Sequence, residues 1–114
     1  MKTLQNNYTT PEQSKRLLEL GVPADSADCY LTRFGMDEDW EVKVLNYVKY
    51  SEIAISNQEY CLPCWSVGQL IKILSICCSY RHCLPVDYCF VEYIVCIITN
   101  EIKLNRIDFS KLEE

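Results

Sequence analysis

The chain has 114 residues, 49% of them hydrophobic and 24% charged, with only 3 Gly and 4 Pro; this is the composition of one folded globular domain with no room for a second, not of a disordered or fibrous protein. Eleven Lys and Arg against 16 Asp and Glu give a net charge of -5, and the densest basic group is the pair Lys15-Arg16, so no nucleic-acid partner is expected. The longest apolar run, Tyr93 to Ile98, is far short of the roughly 20 residues that span a bilayer, and Met1 to Tyr8 lacks the apolar stretch of an export signal; no membrane association and a cytoplasmic location are expected.

Thr10-Pro11-Glu12-Gln13 reads as a helix start, with Thr as N-cap, Pro at the first helical position and Gln placed to return a hydrogen bond. Leu17, Leu18 and Leu20 supply the apolar face, and Gly21 followed by Pro23 predicts a left-handed cap and stop. After the turn Val22 to Asp28, Cys29 to Phe34 is rich in strand formers and bounded by Gly35 and the acidic run Asp37-Glu38-Asp39. Trp40 to Tyr50 suits extended structure with a bend near Asn46. Glu52 to Ser56, the turn Asn57-Gln58 and Glu59 to Leu62 predict a hairpin.

Ser66-Val67-Gly68-Gln69 repeats the capping-box pattern, and Val67, Leu70, Ile71, Leu74, Cys77 and Cys78 follow at helical spacing. Ile73, Ile76 and Tyr80 carry the apolar surface around most of this helix, which predicts a central element covered on more than one side. Residues 88–103 read as a third helix capped by Asp87, with Val91, Ile94, Val95 and Ile98 on one face; the β-branched run Tyr93 to Thr99 leaves a buried strand as the alternative. The tail Asn105 to Glu114 is polar apart from Ile107, Phe109 and Leu112. The expected architecture is α+β, about three helices packed on a small antiparallel sheet in a single domain over 1–114, with 1–8 and 110–114 loosely ordered.

Eight cysteines without an export signal predict reduced thiols, and Cys77, Cys78, Cys89 and Cys96 sit among apolar residues as core filling. Two alternatives attach to Cys61 and Cys64. With Cys77 or Cys78 and His82 or Cys83 they have the spacing of a zinc site, against which the helical period already explains the later cysteines. Cys61-Leu62-Pro63-Cys64 also has the outline of a redox pair, but both cysteines precede the helix that Ser66 caps, where a redox motif opens its helix. His82 is the sole histidine, the three glycines are isolated, and Asp37 to Asp39 with Glu41 lacks the spaced ligands of a calcium loop. No catalytic, cofactor-binding or metal residue is therefore assigned, and no cofactor is expected.

In the blocks Thr10-Pro11-Glu12-Gln13 through Leu17-Leu18-Glu19-Leu20-Gly21-Val22-Pro23-Ala24-Asp25-Ser26-Ala27-Asp28, and Leu62-Pro63-Cys64-Trp65-Ser66-Val67-Gly68-Gln69-Leu70-Ile71-Lys72-Ile73-Leu74, the chain resembles a group of short uncharacterised proteins of Bacteroides-type gut bacteria and their mobile elements. The resemblance implies a bacterial cytoplasmic setting and carries no activity, cofactor or catalytic residue. The expected function is protein binding as a small adaptor without catalysis, the alternative being a thiol-dependent redox or zinc protein using Cys61 and Cys64. A homodimer that covers the second helix, with Tyr47, Tyr50, Tyr60 and Trp65 as interface aromatics, and a monomer that packs the same residues inside are the two alternatives for this face.

Overall fold

A computed structural model describes residues 7–53, 60–78 and 91–113. In order, these form helix α1 (Pro11–Glu19), a 3-10 turn (Ala24–Ser26), strands β1 (Cys29–Thr32) and β2 (Glu41–Val44), and the one-turn helix α2 (Tyr50–Ile53). Strand β3 (Cys61–Cys64), helices α3 (Val67–Cys77) and α4 (Val91–Lys103), and a 3-10 segment (Phe109–Glu113) complete them. The fold is α+β: helices packed on a three-stranded antiparallel sheet of order β2-β1-β3.

Helix α1 starts as its sequence dictates. Thr10 Oγ1 accepts the Gln13 N–H at 3.2 Å while Gln13 Oε1 accepts the Thr10 N–H at 3.0 Å, so two donors that the helix leaves unpaired are satisfied reciprocally. At its end Gly21 adopts φ 101°. That turn lets the Val22 and Gly21 amides return to the carbonyls of Leu17 and Leu18, at 3.0 and 3.1 Å, the pairing of a Schellman motif. Helix α4 closes the same way with Asn105 at φ 58°, the amides of Arg106 and Asn105 returning to Glu101 and Ile102.

Helix α3 departs from the reciprocal cap. Ser66 Oγ does accept the Gln69 N–H at 3.1 Å, but the Gln69 side chain donates to the Ser26 carbonyl instead. Asp28 takes its place, its carboxylate accepting from Ser66 N at 3.0 Å and Ser66 Oγ at 2.6 Å. A long-range carboxylate thus ties the start of β1 to the start of α3. Residues 91–103 are helical, as expected over the strand alternative; the cap Asp87, with Tyr80, His82, Cys83 and Cys89, lies outside the described residues.

At its described ends, the hairpin expected over Glu52 to Leu62 is replaced by other structure. Tyr50–Ile53 makes a helical turn, and β3 pairs along its length with β1; the turn Asn57-Gln58 lies outside the described residues. The cause is tertiary: the Asp25 carboxylate accepts from Ser51 N at 2.8 Å and Ser51 Oγ at 2.9 Å, capping α2 from another part of the chain. The buried Tyr50 then donates its hydroxyl to the Cys61 carbonyl at 3.0 Å.

The main core joins Leu17, Val22 and Trp65 to the inner faces of α3 and α4, namely Leu70, Ile73, Leu74, Cys77, Val91, Ile94, Val95 and Ile98. Trp65 is completely buried and gives its indole N–H to Ser26 Oγ at 3.0 Å, which satisfies the one polar atom such burial would strand. The tail contributes as well, with Ile107, Phe109 and Leu112 packed on this core and the Asp108 amide bonded to the Cys77 carbonyl at 2.9 Å. A second cluster, Cys29, Leu31, Leu62 and Cys64 with Tyr8, Trp40 and Val42, lies on one face of the sheet.

Candidate functional site

The sheet register fixes what the cysteines can do. Successive side chains of a strand point to opposite faces, so Cys61 and Cys64, three positions apart in β3, face opposite ways. Cys64 lies in the sheet-face cluster with Leu62, while Cys61 falls on the other face with Pro63. The two thiols suggested by the sequence as a redox or zinc pair are therefore not brought together. Among the described residues no group of three His, Cys, Asp or Glu side chains is arranged to hold a metal ion.

The strand pairing brings a different couple into register. Cys29 of β1 lies directly opposite Cys64 of β3, on the same face, and both are buried free thiols. Burial, and then the negative charge of Asp28, push the Cys29 thiol up to about 12. Burial raises Cys64 to about 11 against the opposing effect of hydrogen bonding from Thr9, and the neutral thiol donates to the Thr9 carbonyl at 3.6 Å. Cys61 is raised too, by burial, with Tyr50 opposing. A nucleophilic or redox-active cysteine needs the reverse displacement, so all three are protonated, apolar fillers at neutral pH. Cys77 is core as expected, but Cys96 is exposed, because position 96 falls on the outer face of α4 beside Glu92.

The buried ionic pair is structural in the same sense. Glu101 is 1% exposed and accepts from Arg106 Nε at 2.9 Å and Arg106 Nη2 at 2.7 Å, a bidentate pair, with the Cys78 thiol donating to Glu101 Oε1. It fastens the end of α4 to the segment that follows.

What lies open is the surroundings of β2. The Leu45 amide bonds the Asp28 carbonyl at 3.0 Å, which makes 28/45, 30/43 and 32/41 the hydrogen-bonded pairs of this antiparallel ladder. Residues 40, 42 and 44 consequently turn their N–H and C=O groups away from β1. Among the described residues no backbone group pairs with them. Around this edge stand Phe34, 93% exposed, Met36, Val44, 60% exposed, and Tyr47 and Val48. Tyr47 has its ring wholly in solvent and its backbone at φ 65°, a conformation that disfavours bulky side chains. Arg33 anchors the β1–β2 loop, its guanidinium stacked 4.3 Å from the Trp40 ring centroid and within reach of the Met36 carbonyl and sulfur. Of the four aromatics expected at an interface, Trp65 and Tyr50 are spent inside the chain, Tyr60 is partly covered, and Tyr47 is at the surface.

No family model, curated protein or solved structure matches this chain. Among the described residues no helix is long and apolar enough to cross a membrane.

Proposed function

We propose that the protein is a small binding domain that docks a protein surface through the β2 edge and the apolar side chains around it, and does not work by thiol chemistry. The observation that carries this reading is the exposure of Phe34, Met36, Val44, Tyr47 and Val48 on both sides of a strand edge that no other described residue pairs. A small domain that hides Leu17, Trp65 and Ile94 completely has packing enough to bury a phenylalanine, and leaving several large apolar groups beside one edge is the signature of an interaction surface. The outward N–H and C=O groups offer main-chain bonds, the way an extended partner strand is recognised.

The test is the size of the protein in the lysate of cells that make it. The chain should migrate above its own mass of 13.3 kDa, fall to that mass when Phe34→Ser and Tyr47→Ser are combined, and stay in the larger form when Cys61→Ser and Cys64→Ser are combined. Migration of the unaltered chain at its own mass, or a shift that follows the cysteines, would refute the reading.

A further inference from the structure

We infer that the occupant of the β2 edge is a second copy of the same strand, paired antiparallel about Val42, so that two three-stranded sheets join into one of six. The inference rests on the reading of this edge as a docking surface and names its partner. It is carried by the self-complementarity of Trp40-Glu41-Val42-Lys43-Val44.

With a two-fold axis through Val42, Val42 faces Val42 of the other copy, Trp40 faces Val44, and Glu41 faces Lys43. Residues 40, 42 and 44 turn their amides and carbonyls outward, so these pairs are the hydrogen-bonding ones and the junction gains about six main-chain bonds. The Glu41 and Lys43 pairs then fall at the closer, non-hydrogen-bonded positions, where opposite charges stabilise a ladder. Within one chain Lys43 Nζ already lies 3.6 Å from Glu41 Oε1, both side chains being about half exposed. The second copy completes an alternating square of four charges. Lysine on an edge strand ordinarily prevents pairing with a second copy; the glutamate two positions earlier turns that repulsion into a match in this one register.

The apolar side follows the same symmetry. Trp40, Val42 and Val44 project to the face that carries Leu31 and Leu62, so the row of apolar side chains continues across the axis and covers the exposed Val44. Continuing the register places position 36 opposite 48 and position 37 opposite 47, which sets the loop bearing Phe34 and Met36 alongside the Tyr47-Val48 segment of the other copy. Both exposed clusters, one at each end of β2, thus find cover in one arrangement. Any other antiparallel register either opposes like charges or leaves a cluster open.

The experiment is light scattering on a sizing column with purified, full-length protein in reducing buffer, over a range of concentrations. The unaltered chain should show twice the mass of 13.3 kDa. Lys43→Glu, an exposed change that should leave the circular dichroism spectrum unchanged, sets like charges opposite each other twice and should weaken association roughly tenfold or more. Combining Glu41→Lys with Lys43→Glu restores the alternation and should restore the dimer. Val42→Pro removes an outward N–H and should give a monomer. A monomeric unaltered chain, a dimer indifferent to Lys43→Glu, or a folded double reversal that stays monomeric would each overturn the inference. A monomer in pure form that is nevertheless held in a Phe34- and Tyr47-dependent complex in the lysate overturns the self-pairing and leaves the docking surface standing.

Discussion

The fate of Cys61 and Cys64 turns on parity. Their three-residue spacing is a metal or redox signature in a turn or at a helix start; in a strand it sends the two thiols to opposite faces. The spacing was legible in the sequence and the strand was not secure enough to decide its meaning. The couple that does meet, Cys29 with Cys64, depends on the register between strands distant in the chain, and no local pattern encodes register. Their titration gives a measurable consequence. Folding raises both thiols above their ordinary value of 9.0, to about 12 and about 11, so the folded state holds protons that the unfolded chain releases first. The associated stability is intact below pH 9 and is lost as pH rises through the folded values. Urea midpoints should therefore be level from neutral pH to about 8.5 and fall steadily above 9; replacing Cys29 and Cys64 by Val should flatten that alkaline fall. At the other end of the core, Arg106→Ala leaves Glu101 buried without its bidentate partner. With Arg106 itself partly exposed, the expected cost is about 2 kcal/mol, read from urea unfolding, with Glu101→Gln recovering part of it in the Arg106→Ala background.

At the level of elements, α1 was readable from end to end because every signal is local: cap, proline, returning glutamine and terminal glycine lie within twelve residues of sequence. The start of α3 was readable, yet its second partner was not, since Asp28 arrives from just before β1. Helix α2 was misread as a strand for the same reason, its cap being Asp25, 26 residues earlier in the chain. The two Schellman ends supply a paired prediction. Gly21 at φ 101° has open space where a side chain would project, so Gly21→Ala should cost about 1 kcal/mol through backbone conformation alone. Asn105 occupies the equivalent left-handed position of α4, where Asn105→Gly should instead stabilise by a few tenths of a kcal/mol. Thermal unfolding of the two variants, shifting in opposite directions, checks both.

For the molecule as a whole, the α+β class followed from the alternation of patterns along the chain, whereas the strand order β2-β1-β3 did not. That order predicts the distribution of slow hydrogen exchange. Amides of β1, paired on both sides, should be the most protected of the sheet; those of Val42 and Val44 should exchange rapidly in dilute protein and slow as concentration rises, and protection that ignores concentration would contradict self-pairing. The beginning of the described chain is held from afar. Thr9 Oγ1 accepts the Trp65 amide, 56 positions later, the Thr9 amide and the Val67 amide bond across the same junction, and Gln13 of α1 donates to Glu92, 79 positions on. These contacts impose a timetable on synthesis. A ribosome adding 5–20 residues per second exposes Trp65 roughly 3–11 s after Thr9, and a nine-residue helix alone in water is marginal. During that interval the nascent α1 has its own cap but none of its distant partners to lie against, so its helix forms only transiently until they arrive.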